Sequence, residues 1–181
     1  EAVAKANGPR DRRDRIEHAQ VVAPMDFQRF AQLKVIASMQ PSHQTTDMRW
    51  AEDRIGKERI KGSYAWATML KNGVHLAFGT DYNVEPISPF RGLYACVTRE
   101  RPDGGPRNGW EPQEKISLED CIRAYTSGSA YAQFEEGKKG ELKQGEYADF
   151  IILSNDLTKI PPAEYTKTRV VHTVVGGRTV Y

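Results

Sequence analysis

The chain has 181 residues, enough for one ordinary domain with a real core or for part of a larger one. Apolar residues make up 39% and charged residues 28%, a balance that argues against a disordered chain. The net charge of +2 gives no electrostatic case for a nucleic-acid partner, and no apolar run approaches the ~20 residues needed to cross a bilayer.

The basic residues Arg10, Arg12, Arg13 and Arg15 interleave with Asp11 and Asp14, which reads as a solvated mixed-charge stretch. Neither Cys96 nor Cys121 lies in a C-x-x-C motif, and two cysteines do not make a disulfide framework. A reduced, cytoplasmic protein is therefore expected. The N-terminus is charged, lacks an apolar signal region and has no initiator Met. It is expected to belong to a processed product or a piece of a longer chain.

Arg15 to His18 reads as a short strand. Pro24 and Asp26 open a predicted helix in which Phe27, Phe30 and Ala31 recur at i, i+3 and i+4. Val35 to Met39 reads as a buried strand, ended by Pro41. Residues 42 to 58 are polar and take no clear assignment. Ile60, Tyr64, Ala67 and Leu70 keep helical spacing up to a stop at Asn72-Gly73. Val74 to Phe78 is again strand-like and runs into Gly79-Thr80-Asp81. A Pro- and Gly-rich loop is expected from 82 to 115.

Ser117-Leu118-Glu119-Asp120 is a capping box that starts a helix, with Ile122, Tyr125, Tyr131 and Phe134 as candidate core residues. Phe150 to Leu153 reads as a strand. Val170 to Val175 and Thr179 to Tyr181 flank Gly176-Gly177-Arg178 as a terminal hairpin. Alternating strands and helices predict a parallel sheet with crossover helices, and the strand-only end predicts a separate small β element. The division expected is 1–136 and 137–181.

In a parallel α/β barrel, catalytic groups sit at the C-terminal ends of strands. His18 and Asp81 occupy such places, and an imidazole with a carboxylate at one barrel mouth suits a zinc-type ion. From spacing alone, a packed histidine and a turn or cap aspartate remain open readings. Gln40, His43 and Asp47 follow a strand and could reach substrate from a loop at the same face, although residue type alone favours a solvated polar loop. Arg99, in the long loop, could clamp an anionic group, although a surface arginine is the commoner explanation. His75 and His172 read as structural. Neither cysteine has a neighbouring base that would make it a nucleophile.

Ordered motifs carry a resemblance. Arg15-Ile16-Glu17-His18-Ala19-Gln20 resembles the sixth-strand motif of the amidohydrolase superfamily, in its N-substituted formamide deformylase-like subgroup. Ser38-Met39-Gln40-Pro41-Ser42-His43 resembles the seventh-strand exit, and Ala77-Phe78-Gly79-Thr80-Asp81 the eighth-strand end. Val97-Thr98-Arg99 resembles a loop motif after it. Lys139-Gly140-Glu141-Leu142, Gly145 to Leu153 and Val175 to Tyr181 resemble the return into that family's small β-sandwich. The resemblance runs from about residue 10 to the end.

It implies an α/β fold: strands six to eight of a (β/α)8 TIM-type barrel, plus strands of a small composite β-sandwich. It also implies a divalent metal, zinc by preference, with one or two ions in the complete enzyme. The substrate would be a small amide-like molecule cut at a C–N bond. His18 is implied as a metal ligand, and Asp81 as ligand and proton shuttle. His43 is implied as a contact to substrate or the developing oxyanion. Gln40 and Arg99 stay candidate substrate contacts from their placement alone, and residues 82 to 115, a loop after a strand, are expected to supply one wall of the pocket.

The family's first-strand His-x-His pair has no counterpart, because the only histidines are His18, His43, His75 and His172. Two ligands alone should hold an ion weakly. Three strands of a barrel also leave open edges. Missing upstream strands, or a homo-oligomer that hides the edges, are therefore expected as partners, with neither nucleic acid nor membrane. The competing expectation is a non-catalytic module that self-associates through those edges.

Overall fold

Three short extended segments pair into one parallel sheet, two of them apolar and buried and the first, Arg15-Ile16-Glu17, exposed. In the computed structural model, which describes all 181 residues, these are β1 (Arg15–Glu17), β2 (Ile36–Met39) and β3 (Leu76–Phe78). All three run parallel in the order β1-β2-β3. Glu17 pairs with Ser38 and Met39 pairs with Phe78, so the residues just beyond each strand share one rim. The predicted strands are all present, although the first two residues of the 74–78 run precede β3.

The crossovers are helical. A single 3-10 turn at Pro24–Asp26 leads into α2 (Phe27–Gln32), which follows a short first helix, α1 (Ala2–Asn7). Phe27 and Phe30 are buried, as the i, i+3 stripe predicts. Pro41 begins a helix rather than merely ending a strand. It occupies the first turn of α3 (Pro41–Asp47), where its missing N–H costs nothing. A further helix, α4 (Ala51–Ile60), kinks at Gly56 and fills most of the unassigned stretch.

The helical spacing read from Ile60 to Leu70 does not make one helix. The chain breaks after Ile60, Tyr64 takes a left-handed φ of 49°, and Ser63 bridges to Val21. α5 (Trp66–Lys71) starts only afterwards. At Gly62 an added Cβ would lie 2.0 Å from the Val22 carbonyl oxygen, so only glycine lets these two backbones meet.

The 82–115 region is not all loop. It holds α6 (Phe90–Thr98), whose Phe90, Leu93, Tyr94, Ala95 and Cys96 are buried. α7 (Leu118–Tyr125) begins where the capping box places it, with Ser117 accepting from the Asp120 amide. The core residues of this part match the expectation in part, since Tyr125 and Tyr131 pack against buried core residues. Cys121 and Ala124 are buried, whereas Ile122 and Phe134 are exposed. α8 (Ser127–Ala132) packs on β3, where a Cβ at Gly128 would meet the Leu76 oxygen at 2.3 Å.

Cys96 and Cys121 are joined by a disulfide that ties α6 to α7, and both are fully buried. The expectation of free, reduced thiols is thereby corrected, and with it the ground for expecting a cytoplasmic protein. Sequence spacing could not reveal the pairing, because 25 residues separate the two. No helix is long and apolar enough to cross a membrane.

The second sheet is antiparallel: β4 (Phe150–Leu153), β5 (Val170–Val175) and β6 (Arg178–Thr179). The predicted hairpin turns at Gly176-Gly177. A 3-10 segment at Pro162–Lys167 lies against α6, and Leu157 and Tyr165 enter the same core as the residues of β2 and β3. The faces of β1 are exposed throughout, while β2 and β3 are almost wholly buried. An apolar groove of about 320 Å³ runs beside β1, lined by Ile16, Val21, Val22, Phe30, Leu33 and Val35 among others.

Candidate metal centre

Strand register places the ends of β1, β2 and β3 side by side, and the polar residues collect there. His18 is the first residue past β1 and Gln40 the first past β2. Asp81 lies three residues past β3. His18, Ala19 and Asp81 have φ of 68°, 42° and 54°, left-handed values rare for side-chain-bearing residues. Such strain, of order 1–3 kcal/mol each, persists where surrounding contacts fix the backbone, as functional rims do.

His18, His43 and Asp81 each offer a ligand atom, and the three atoms lie within 4.8 Å of one another. The two imidazoles are near-parallel, with centroids 5.9 Å apart and planes 21° from one another. The His18 Nδ1–H donates to the Gln40 Oε1 at 2.9 Å. An amide oxygen can only accept, so this bond fixes the tautomer and leaves His18 Nε2 with its lone pair free for a cation. His43 is buried at 8% exposure, and its Nε2 has no partner. The donor set of two imidazoles and a carboxylate, together with that orphaned nitrogen, fits a divalent ion of the zinc type.

One wall of the site is tied by a closed triangle. Gln20 Nε2 donates to Asp47 Oδ2 at 2.8 Å and to the Tyr64 hydroxyl at 2.6 Å, and that hydroxyl donates to the same Asp47 oxygen at 2.6 Å. Burial first, and then the bond to Asp47, push the Tyr64 pKa above its ordinary value, so Tyr64 remains a donor. A cavity of about 420 Å³ opens over these groups, lined by His18, His43, Asp47, Trp50, Asp81 and Glu85 among others. Its only basic side chains are the two imidazoles. The apolar groove beside β1 lies elsewhere and carries none of the three ligand groups.

The other sequence candidates fall differently. Gln40 is only 7% exposed, accepts from His18 and is not among the residues lining the cavity. Arg99 is fully buried. Its Nη1 donates to the Tyr64 carbonyl at 2.6 Å and its Nε to the Trp110 carbonyl at 2.9 Å. The guanidinium also lies over Trp66 and Trp110, 4.5 and 5.1 Å from the ring centroids. Burial pushes its pKa down to about 9, with Glu114 and Glu111 opposing, so it stays charged at neutral pH. This arginine is a packing and hydrogen-bonding strut, which corrects the expectation of a substrate clamp.

His75 sits at the other end of β3, where its Nε2–H donates to the Gly128 carbonyl at 3.1 Å, as a structural histidine does. Sequence reasoning did not find Gln20 or Tyr64 as site residues. Gln20 lies two residues after His18, a spacing that could have flagged it. Tyr64 reaches the site only through the tertiary fold.

These observations define an α/β protein with a candidate divalent-metal rim at the C-terminal ends of its parallel strands. The model of the amidohydrolase family matches residues 1–181, so the chain belongs to the amidohydrolase family. It is 40% identical over 185 residues to the Arabidopsis thaliana protein LONG AFTER FAR-RED 3, covering 100% of this chain and 31% of that protein. It is 26% identical over 168 residues to N-substituted formamide deformylase of Arthrobacter pascens, covering 90% of this chain and 30% of that enzyme. Among solved structures, an uncharacterized metal-dependent hydrolase from Pyrococcus horikoshii superposes with a TM-score of 0.73 at 29% identity. That match covers 99% of this chain and 33% of the other. The chain thus spans about a third of the length of these relatives.

Proposed function

We propose that this chain is the portion of a metal-dependent hydrolase that carries strands six to eight of a (β/α)8 barrel, with residues 137–181 contributing to a small β-sandwich. The substrate class proposed is a small molecule with an amide-like C–N bond. The observation that carries the reading is the convergence of His18, His43 and Asp81 at one rim, beside an open cavity. The family, and the deformylase named among its relatives, support it.

His18 and Asp81 would hold the divalent ion, which when bound would lower the pKa of a water towards ~7 and polarise a carbonyl oxygen. The residues of the chain do the rest. Gln40 holds His18 in the tautomer that offers Nε2 outward. Asp81 takes the proton of the attacking water and returns it to the departing nitrogen, which needs a carboxylate within hydrogen-bond reach of both. Gln20, Asp47 and Tyr64 brace the wall that orients the substrate. Zinc is the ion of choice because nitrogen donors and low coordination number suit it.

The exposed β1 and the apolar groove beside it support a further part of this reading. The upstream strands of the same polypeptide would cover that edge, and failing them a second copy would. Asp81→Asn in the protein carrying the whole barrel tests the mechanism. Hydrolysis should fall by about 10²–10⁴-fold, the usual worth of a general acid–base group. Near-parent turnover in that variant, with metal still bound, would remove Asp81 from the proposed role.

A further inference from the structure

We propose that Asp47, Trp50 and Glu85 form a subsite for a cationic group, so that the substrate carries an alkylammonium on the part that is not cleaved; the inference rests on the hydrolase reading given above. All three side chains line the cavity that His18, His43 and Asp81 share.

Asp47 carries more than its hydrogen-bond triangle uses. Gln20 and Tyr64 both donate to one oxygen, Oδ2. A neutral asparagine oxygen would accept the same two bonds, so the triangle needs neither the negative charge nor Oδ1. Oδ1 accepts no hydrogen bond within the protein, and it is not sealed from solvent. Local structure gives the charge no other purpose. Asp47 is the last residue of α3, where the helix dipole disfavours a carboxylate. No ion pair with lysine or arginine engages Asp47 or Glu85.

The neighbours suit an ammonium. The Trp50 amide donates to the Asp47 carbonyl at 3.0 Å, and this closed turn fixes the two residues relative to one another. Trp50 is 47% exposed, a large aromatic side chain left open to the cavity. Aromatic faces attract cations, and a carboxylate adds a charge-assisted hydrogen bond to the same group. Glu85 comes from the segment after β3, and Thr46 Oγ1 donates to its Oε1 at 2.8 Å, which ties it to the end of α3. Val84, 68% exposed, lines the same cavity and offers apolar surface to an alkyl chain. Asp81 answers the charge of an ion at the rim. Asp47 and Glu85 are left uncompensated, and an anionic substrate would meet both.

The test compares three N-alkylformamides of equal length, ending in an ammonium, a methyl or a carboxylate group. It uses the metal-loaded protein that carries the whole barrel, and it measures both hydrolysis and equilibrium binding by calorimetry. The expected order is ammonium above methyl above carboxylate, with ammonium favoured over methyl by at least about tenfold. Asp47→Asn keeps an acceptor for Gln20 and Tyr64 and should cut the ammonium-to-methyl ratio by about tenfold. Trp50→Leu should cut it by about threefold. Glu119→Gln removes an exposed carboxylate on α7, outside the cavity, and should leave the ratio unchanged, which separates a local contact from net charge. Circular dichroism checks folding, and Glu85→Gln takes the place of Asp47→Asn should that variant not fold.

Binding in the expected order without hydrolysis keeps the subsite and removes the hydrolase reading. Hydrolysis with no preference for charge keeps the hydrolase reading and removes the subsite. Binding of the carboxylate compound as tight as that of the ammonium, no binding of any of the three, or an unchanged ratio in the folded Asp47 or Glu85 variant overturns the proposal.

Discussion

Replacing Arg99 with alanine distinguishes a strut from a substrate clamp. The side chain is fully buried and gives charge-assisted hydrogen bonds to the Tyr64 and Trp110 carbonyls. Each such bond contributes about 1.5–3 kcal/mol. Cation–π contact with Trp66 and Trp110 adds about 1–2 kcal/mol in a desolvated setting. Against these stands the desolvation of a buried cation, several kcal/mol, which the variant no longer bears. The variant also leaves an arginine-sized void. The Tyr64 oxygen keeps the Trp66 amide, but the Trp110 oxygen loses its donor.

The net expectation is a loss of about 3–5 kcal/mol, the range seen when one partner of a buried ionic group is removed. With an m-value near 2 kcal/mol/M for a chain of this size, the urea midpoint falls by about 2 M. Circular dichroism and tryptophan fluorescence report it together, since Trp66 and Trp110 border the lesion. Arg99→Lys should recover less than half, because a single ammonium cannot serve both carbonyls in the guanidinium's geometry. A midpoint shift equivalent to less than about 0.5 kcal/mol is what a surface arginine gives, and it would refute the reasoning.

Tyr125→Phe is expected to be neutral or stabilising by up to about 1 kcal/mol, because the Tyr125 hydroxyl is buried without a partner. Burial raises the Tyr125 pKa, so its neutral form contributes stability below the ordinary tyrosine pKa of ~10, and that contribution is lost as pH rises further. The variant should thus lose less stability above pH ~10 in thermal melts, and a destabilisation beyond 1 kcal/mol would mean the hydroxyl is satisfied in solution. His75 responds in the opposite sense. Burial, partly countered by the Gly128 carbonyl, lowers its pKa, so the unfolded chain takes up a proton first. Stability should fall as pH drops through about 6.5, and His75→Gln should flatten that part of the profile. An unchanged slope in urea melts across that window would argue that His75 is not buried as described.

Local signals carried much of the fold. Ser117 with Asp120 marks the start of α7, and Gly176-Gly177 marks the final turn, because caps and tight turns are properties of a few adjacent residues. α6 carries a helical stripe at Phe90, Leu93, Tyr94 and Val97, but the surrounding prolines and glycines make the stretch read as loop. The apparent helix from Ile60 to Leu70 shows the opposite error. Its spacing is helical, yet the backbone is diverted at Gly62 to pack against Val22.

By itself the sequence determined the alternation of strands and helices, the rim positions of His18 and Asp81, and the residues that tie the chain to its family. Those are matters of period, termination and chemical type, which neighbouring residues settle. Only the tertiary structure decided that Gln40 serves His18, that His43 is sealed beside it, and that Tyr64 braces Asp47. It also decided that Arg99 is buried and that Cys96 meets Cys121. In each case the physical cause is a contact between residues distant in the chain, and burial and pairing of that kind leave no trace in the spacing of amino acids.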